Sequence, residues 1–331
     1  MFVPSRSGAP VTLAVVAYGA TERLRRCLDA LIAHESVTDF EVVCVVNPNT
    51  RSGSSDVSWV DPRVAVVLPE LNLGWAGGLH LARTRVTGPL MVWIQDDMVP
   101  LAGWLDALVS AADALPGAAC FGSLSVGADG RPDGVAAGRA EPADVVARWN
   151  ETDHTRESLP EAVTTFDWVT SKGMLTRTEA WDAIGGPDVR LYPLDHVDKQ
   201  YATHLRAHGW DVAFVPTATL AHALSQSSPR LFRRFLNGWH DDDFNATWGP
   251  VAAELAVDAT SRPGHPCPPA PTIAEVERAC AIEATRMVVP LARFAVGEYE
   301  PALARYDSSK SWRWTAPLRS IVGTARRLAR R

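Results

Sequence analysis

The fold is decided by residues 11–46, VTLAVVAYGATERLRRCLDALIAHESVTDFEVVCVV. The stretch opens with a nearly all-apolar, β-branched run at Val11 to Tyr18, which predicts a strand buried in a parallel sheet. Apolar residues then recur at helical spacing on one face, at Leu24, Cys27, Leu28 and Leu31. A second apolar run follows from Glu41 to Val46. The stretch therefore predicts a strand–helix–strand unit, the repeating part of a doubly wound α/β fold.

The same alternation continues outward from this unit. Apolar runs at Arg63 to Leu68 and Leu90 to Ile94 enclose a glycine-containing helical pattern from Trp75 to Val86. The alternation then weakens, with strand-like segments near Phe166 to Thr170 and Asp211 to Val215 and a helix-like segment between them. We predict an α/β fold whose doubly wound, mostly parallel sheet has a mixed second half, followed by a C-terminal helical extension.

Composition limits the function and the location of the chain. Its 331 residues are 47% hydrophobic, enough for one large α/β domain with appendages or for two ordinary domains. A formal net charge of −6 argues against a nucleic-acid binder, which normally has a basic face. The five cysteines form no CxxC pair and show no zinc-ligand spacing, and the N-terminus lacks a signal-type pattern. We expect a soluble, cytoplasmic protein with reduced thiols.

Polar residues follow the predicted strands at the sheet edge where ligands of open α/β folds bind. The first run ends in Ala17-Tyr18-Gly19, the second in Asn47-Pro48-Asn49 and the fourth in Gln95-Asp96-Asp97. Two adjacent aspartates repel each other in a cleft unless a cation or solvent compensates their charge. Mg²⁺ and Mn²⁺ prefer oxygen ligands and commonly bridge carboxylates to substrate phosphates. A divalent metal site is one interpretation of this acidic pair, and a solvated loop after an edge strand is the other.

Several motifs, in their order and spacing, resemble those of family 2 glycosyltransferases with the GT-A fold. The family's first strand and helix, its metal motif and its glycine-containing helix entry are matched in turn by VTLAVVAYGATERLRRCLDAL, PLMVWIQDDMVPLAGWLDAL and NLGWAGGLHLAR. The resemblance extends over about Val11 to Ser228. It implies a glycosyltransferase domain at residues 1–228, with a nucleotide-sugar-binding half at 1–125 and an acceptor and catalytic half at 126–228.

The resemblance also implies a metal site and a donor site. The family's metal motif is usually Asp-x-Asp, and Gln95 stands in place of the first aspartate. Asp97 is therefore implied as the main ligand of Mn²⁺ or Mg²⁺, with Asp96 and the strand-end His222 as further ligands. A lone histidine is otherwise more often a core or surface residue. The residues implied to bind the nucleotide sugar are Ala17, Tyr18, Gly19, Glu22, Asn47, Asn49, Asn72, Gly74, Trp75, Gly77, Gly78, Gln95 and Asp96.

The segment LDHVDKQYATHLRAHGW, at 194–210, resembles the catalytic segment of rhamnosyltransferase-like members of this family. Its spacing to Gly209 places Asp198 on the family's catalytic base. Without the resemblance, Asp198 would equally suit a helix N-terminus, where the helix dipole stabilises an acid. Upstream, TSKGMLTRTEAWDAIGG resembles the segment that helps to form the acceptor side. The implied acceptor-binding residues are Trp168, Lys172, Gly173, Asp195 and His196.

These motifs predict an inverting, metal-dependent glycosyltransferase that moves a sugar from a UDP- or dTDP-sugar to a hydroxyl acceptor. The acceptor would be a glycan, a lipid-linked glycan or a small molecule, in cell-surface polysaccharide or natural-product biosynthesis. A nucleotidyltransferase acting on sugar phosphates and a non-catalytic nucleotide-sugar-binding protein are the alternatives. A dehydrogenase is disfavoured because Gly74, Gly77 and Gly78 lack the GxGxxG spacing. The sequence predicts no particular oligomeric state.

The region after the predicted catalytic domain divides into a helical segment at 229–260, a proline-rich linker at 261–272 and a helical extension at 273–331. The acidic run His240-Asp241-Asp242-Asp243 suggests a second metal site, but a solvated helix face explains it better because consecutive acids point in different directions. The chain ends in APLRSIVGTARRLARR, a basic amphipathic pattern. Such a helix either contacts the cytoplasmic face of a membrane peripherally or packs on the catalytic domain.

Overall fold

A computed structural model describes residues 9–49, 56–133, 136–137, 159–222, 230–258 and 260–308 of the chain. The predicted alternation of strands and helices in the first half is confirmed. Its elements are β1 (Val11–Tyr18), α1 (Glu22–Ile32), β2 (Phe40–Asn47), β3 (Val64–Val67), α2 (Gly74–Arg83) and β4 (Leu90–Gln95). Helix α1 begins where Thr21 Oγ1 accepts a hydrogen bond from the Leu24 backbone N–H at 3.2 Å, which caps the helix.

The second half alternates less regularly between strands and helices. Its elements are β5 (Met98–Pro100), α3 (Trp104–Ala114), β6 (Ala118–Val126), β7 (Ala136–Ala137), β8 (Thr164–Thr165), β9 (Trp168–Val169), β10 (Met174–Arg177), α4 (Thr178–Ile184), α5 (Val197–Ala207) and β11 (Asp211–His222). The chain then continues as α6 (Arg230–Thr247), α7 (Gly249–Val257) and α8 (Ile273–Ser308). The helix-like segment predicted before Asp211, at Asp198 to His208, is thus found as α5.

One large sheet joins both halves in the order β3-β2-β1-β4-β10-β6-β11-β5, with β8 paired to β11. Strands β3, β2, β1 and β4 are parallel to one another. Strand β10 is antiparallel to both of its neighbours and brings Met174 opposite Trp93 of β4. Strand β11 is parallel to β6 and antiparallel to β5, with His222 opposite Met98. The prediction of a mostly parallel sheet with a mixed second half is therefore confirmed.

Apolar side chains pack on both faces of this sheet, which is why its central strands are continuous apolar runs. Successive residues of β1 alternate between the two cores: Leu13 and Val15 belong to the core under α1 and α3, and Ala14 and Val16 to the core under α2, α4 and α5. Strand β2 alternates in the same way. Polar side chains therefore lie at the ends of the strands, outside the two cores.

The C-terminal helices pack on the domain. Val276 and Cys280 of α8 lie against Leu73 at the start of α2, and Met287 of α8 packs with Phe235 and Leu236 of α6. Residues 261–272 form neither helix nor strand, as their prolines predict. Within the described residues, no helix is long and apolar enough to cross a membrane. The basic pattern at the chain's end lies outside the described residues, so its membrane contact stays a prediction, as do the predicted domain boundaries.

We expect Gly78→Ala to lower the free energy of unfolding by about 1–3 kcal/mol, because overpacking a dense core is costly. A Cβ on Gly78 would lie 2.5 Å from Val16 Cγ1 of β1. The control is Gly238→Ala in α6, where a Cβ would meet nothing within 4 Å and where removing a helical glycine is expected to add roughly 0.5–1 kcal/mol. Urea unfolding measures both changes. An unchanged stability for Gly78→Ala, with weaker donor binding, would instead support the donor contact that the sequence implies.

Candidate active site

The two aspartates after β4 point to different partners. Asp96 and Asp97 form the tight turn between β4 and β5, and both are buried. Arg23 of α1 donates a hydrogen bond from Nη2 to Asp96 Oδ2 at 3.0 Å. Burial raises the pKa of Asp96, although the Arg23 cation opposes the rise. Asp96 is thereby tied to the first helix, while the Asp97 carboxylate is turned towards the end of β11.

His222 lies beside Asp97 at the end of β11. His222 Nε2 is 3.2 Å from Asp97 Oδ2, and its Nδ1 shares a short hydrogen bond with Asp133 Oδ2. Burial works against the charge of His222, but the bonds to Asp133 and Asp97 outweigh it and raise the pKa of His222 to about 9. The bond from His222 in turn lowers the pKa of Asp133 to about 2. The imidazolium form of His222 thus compensates the charge of both carboxylates.

This arrangement fits a divalent cation. Asp97 Oδ1 is buried and has no hydrogen-bond partner among the described residues, an arrangement that is costly unless another group completes it. Asp97 Oδ2 and His222 Nε2 face each other, so an ion between them would replace the proton on Nε2. Asp133 holds the opposite ring nitrogen, as carboxylates commonly do for metal-binding histidines. Asp97 and His222 are therefore the first candidate ligands, and Asp133 is the residue that orients His222.

Asp198 lies in the first turn of α5, where the backbone fixes its carboxylate. Its Oδ2 accepts a hydrogen bond from the Ser171 N–H at 2.9 Å, and its Oδ1 accepts one from the Lys199 N–H at 2.9 Å. Immediately before the helix, Asp195 and His196 have φ values of 73° and 60°, in the left-handed region that non-glycine residues seldom adopt. This backbone sets the direction in which α5 begins and so where Asp198 lies.

Lys172 connects the environments of the two predicted sites. It follows Ser171, which binds Asp198, and its Nζ donates to the Asp133 backbone oxygen at 2.8 Å and lies 3.2 Å from Asp133 Oδ2. Asp133 in turn holds His222. A continuous series of contacts therefore runs from Asp198 to Asp97 around the segment that precedes β10.

Gly173 allows this segment to pass close to the sheet. Its φ is +69°, and a Cβ there would lie 2.4 Å from Leu220 Cδ2. Its carbonyl oxygen accepts a hydrogen bond from Ser123 Oγ at 2.6 Å, and Ser123 Oγ accepts one from Trp104 Nε1. The backbone conformation therefore explains why residue 173 is a glycine. It lets the chain place Lys172 beside Asp133.

Two further predicted acceptor residues are Trp168 and His196, of which His196 immediately precedes α5. Trp168 is part of β9 and is partly exposed. His196 Nε2 is 2.8 Å from Asp241 Oδ1 of α6.

The expectation that the run from His240 to Asp243 forms a solvated face is wrong for His240, which is fully buried and whose Nε2 forms a hydrogen bond with the Tyr192 backbone oxygen at 3.1 Å. The face is solvated only in part because α6 packs its histidine inward.

At the ends of β1 and β2, polar side chains mainly bind the protein's own backbone. Asn47 is 2% exposed; its Oδ1 accepts from the Leu73 N–H at 2.8 Å and its Nδ2 donates to the Gly74 oxygen at 3.2 Å. Gly19 donates its N–H to the Asn47 backbone oxygen at 2.9 Å. Asn72 Oδ1 accepts from the Gly74 N–H at 2.9 Å. Asn47 thus joins β2 to the start of α2 with both ends of its amide.

The glycines of α2 lie against protein atoms. Gly74 has a φ of +64°, and a Cβ there would lie 2.5 Å from the Pro193 oxygen. A Cβ on Gly77 would lie 3.0 Å from Cys280 Sγ of α8, and Gly78 faces β1. Trp75 donates its backbone N–H to the Pro193 oxygen at 2.6 Å, and its indole nitrogen is buried without a hydrogen-bond partner among the described residues. The close packing of α2 against α8 explains the glycine at 77, and its close packing against β1 explains the glycine at 78.

Three of the remaining donor candidates, Gly19, Glu22 and Asn49, line two hollows at the carboxyl ends of β1 and β2. One, of about 240 Å³, is lined by Ala20, Thr21, Glu22, Arg25, Asp56 and Trp59. The other, of about 40 Å³, is lined by Gly19, Val46, Asn47, Pro48, Asn49, Leu68 and Pro69. Tyr18 is exposed, whereas Ala17 is buried and Gln95 is partly buried. Tyr18, Glu22 and Asn49 are therefore accessible to a ligand, whereas Ala17 and Gly19 are buried.

Two residues of the site, Asp133 and Arg23, were not predicted from the sequence. Asp133 lies in a turn-rich stretch whose glycines, prolines and aspartates predict only a loop or hairpin, and Arg23 is one of three arginines on α1. No local pattern distinguishes either residue. Their roles come from contacts with His222 and Asp96, which lie 89 and 73 residues away in the chain.

Comparison with known sequences identifies a family and a related protein. A family model described as "Glycosyltransferase like family 2" matches residues 9–240. The O-antigen biosynthesis protein RfbC of Myxococcus xanthus is 26% identical over 239 residues, which make up 68% of this chain. The match spans 18% of that relative's own length.

Several solved structures have a similar fold. GalNAc-T7, with UDP, GalNAc and Mn²⁺, has a TM-score of 0.52 at 14% identity over 84% of this chain and 55% of its own. The mannosyltransferase PcManGT of Pyrobaculum calidifontis, with GDP-Man and Mn²⁺, has a TM-score of 0.52 at 16% identity over 95% of this chain and 85% of its own. TarS 1–349 of S. aureus, with UDP, has a TM-score of 0.50 at 13% identity over 83% and 71%. These likenesses confirm the predicted GT-A fold.

Proposed function

Because the chain belongs to the glycosyltransferase like family 2, we propose that it is an inverting, metal-dependent enzyme that transfers a sugar from a nucleotide-diphospho-sugar to a hydroxyl acceptor. One observation carries the proposal: the Asp97–His222 pair and the Asp198 carboxylate are linked by the contacts of Ser171, Lys172 and Asp133. A displacement at a sugar diphosphate requires a metal-binding pair and a fixed carboxylate in the same region.

On the donor side, Asp97 and His222 would hold Mn²⁺ or Mg²⁺. The bound ion supplies positive charge that offsets the charge of the departing diphosphate. Asp133 keeps the His222 ring oriented, and Arg23 holds Asp96 away from Asp97. Two of the similar structures contain Mn²⁺, which supports a divalent cation here.

On the acceptor side, Asp198 is the proposed base. Its two backbone hydrogen bonds fix the carboxylate, and each oxygen keeps a further lone pair for the acceptor hydroxyl. Asp198 accepts the hydroxyl proton while the acceptor oxygen forms its bond to the anomeric carbon and the bond to the diphosphate oxygen breaks. A single displacement of this kind inverts the anomeric configuration. Trp168, Lys172, Gly173, Asp195 and His196 form the proposed acceptor side.

The donor is proposed to be a UDP- or dTDP-sugar. Similar structures contain UDP or GDP-Man, so the fold accepts more than one base. The amide of Asn47 is occupied by backbone bonds, which leaves base recognition to accessible groups such as Asn49 and Tyr18. The O-antigen relative supports a role in cell-surface polysaccharide synthesis.

A donor screen tests the proposal. The full chain is mixed with UDP-, dTDP- and GDP-sugars, with and without Mn²⁺, and mass spectrometry records binding and hydrolysis. We expect one nucleotide class to bind in a Mn²⁺-dependent way and to be hydrolysed slowly without acceptor. Metal-independent binding without hydrolysis would favour the non-catalytic binding protein, and no binding of any donor would contradict the assignment.

A further inference from the structure

A second group of metal-ligating side chains lies at the other end of α5, away from Asp198. His204 lies in the last turn of this helix and His208 is its C-cap residue, and the proline-rich segment 261–272 brings Cys267 against them. One ligand atom from each of the three residues lies within 4.8 Å of the other two. We propose that His204, His208 and Cys267 form a structural zinc site that fastens segment 261–272 to α5.

The spacing of the ligand atoms suits a tetrahedral zinc ion. Cys267 Sγ is 3.0 Å from His208 Nε2 and 3.9 Å from His204 Nε2. Zinc–sulfur and zinc–nitrogen bonds of about 2.3 Å and 2.0–2.1 Å place tetrahedral ligands about 3.6 Å apart. The two observed separations lie on either side of that value. Small side-chain adjustments would therefore bring an ion into contact with all three atoms.

The two imidazoles are prepared for this role. His208 Nδ1 is 2.9 Å from the His204 backbone oxygen, so it carries the ring proton and leaves the Nε2 lone pair directed at Cys267. Burial, with the added effect of His208 and His265, lowers the pKa of His204 to about 3. His204 is therefore neutral, which is the form that binds a metal.

Cys267 is held in place by the contacts of its own segment. His265 stacks on Trp248 with ring centroids 3.9 Å apart. A Cβ on Gly209 would lie 2.8 Å from Arg262 Nε, and a Cβ on Gly185 would lie 2.5 Å from the Pro268 oxygen, so the segment lies closely against the ends of α5 and α4. The thiol is exposed, which gives an ion a path of entry. When zinc binds, the thiol proton is released to solvent and a zinc–thiolate bond forms.

The chemistry of the cluster distinguishes it from the Asp97–His222 site. One thiolate and two imidazoles form a soft ligand set that favours zinc, whereas Mn²⁺ and Mg²⁺ prefer oxygen ligands. His265 lies beside the cluster, with its ring centroid 5.4 Å from that of His204, and can provide a fourth nitrogen; otherwise water completes the tetrahedron. The role is structural, since the site is at the end of α5 opposite Asp198.

The test uses the full chain without a histidine tag. Metal content is measured after purification, and Co²⁺ is then titrated as a spectroscopic substitute for zinc. A cobalt–thiolate charge-transfer band identifies a cysteine ligand, and neither Asp97 nor His222 can produce one. We expect one zinc per chain, the cobalt band and a zinc-dependent rise in melting temperature. This readout is independent of sugar transfer, so it stays informative if the proposed activity is wrong.

Variants complete the experiment. Cys267→Ser should abolish the cobalt band, and His208→Ala should weaken zinc binding by more than the roughly 10- to 100-fold that losing a ligand's supporting partner costs. His34→Ala, which removes a similarly half-buried histidine elsewhere, should change neither. His265→Ala shows whether the fourth ligand is histidine or water. A wild-type chain without the cobalt band, or a Cys267→Ser variant that keeps its zinc, would overturn the proposal.

Discussion

Asp198→Asn is expected to lower kcat roughly 10²- to 10⁴-fold, the usual contribution of a general base. By the usual conversion this is a loss of about 3–5 kcal/mol of transition-state stabilisation. Asparagine keeps the size of the side chain and one acceptor for the Ser171 or Lys199 N–H, but it cannot accept the hydroxyl proton. Metal-dependent donor binding should therefore persist. Steady-state kinetics and donor titration of the same preparation measure both quantities.

The control for this variant is Asp211→Asn, which changes an exposed aspartate at the start of β11. Its kinetics should match those of the wild type. Thermal unfolding of both variants shows whether the loss of one backbone hydrogen bond at Asp198 disturbs the fold. If Asp198→Asn retained full turnover, the role of Asp198 would be to stabilise the start of α5, and another residue would have to be the catalytic base.

Asp97→Ala is expected to abolish Mn²⁺-dependent donor binding and, with it, turnover. Asp97 offers the buried Oδ1 that lacks a partner among the described residues, and its Oδ2 faces His222 Nε2. Its removal takes away the carboxylate from the proposed metal site. Calorimetric titration with Mn²⁺, with and without donor, measures the loss directly.

Asp133→Asn tests whether Asp133 binds the metal itself or orients the ligand His222 at the same site. Asp133 is expected to act through His222, so its variant should weaken Mn²⁺ affinity by roughly 10- to 100-fold, less than Asp97→Ala does. Asp61→Ala is the control, because Asp61 lies at the opposite edge of the sheet, before β3, where its carboxylate accepts hydrogen bonds from its neighbour Arg63. Equal losses for Asp133→Asn and Asp97→Ala would mean that Asp133 is itself a ligand.

Much of the fold could be predicted from local patterns. Strands such as β1 are buried on both faces, so they appear in the sequence as uninterrupted apolar runs, and α1 shows its buried face at helical spacing. The position of the acidic pair at the end of β4 follows from the same pattern. The assignment of Asp198 depended on resemblance to a family, because one aspartate at a helix start has no local feature that distinguishes catalysis from capping.

The roles within the acidic pair could not be predicted. Asp96 and Asp97 are adjacent and chemically identical, and they differ only because Arg23 binds one while His222 faces the other. The glycines of α2 were implied to approach the donor, yet Gly77 and Gly78 lie against α8 and β1. Similarly, the cysteines show no zinc-ligand spacing, although Cys267 lies against two histidines about 60 residues earlier in the chain.

The amino-acid sequence therefore determined the strands and helices of the first half, that this half is doubly wound, and which strand ends carry acids. Each of these depends on periodicity or on short-range spacing, which a single sequence contains. The partner of each acid, the orienting role of Asp133 and the cluster around Cys267 were decided by the folded chain. Those features depend on atoms that meet across 59 to 125 residues, and such contacts leave no periodic trace in the sequence.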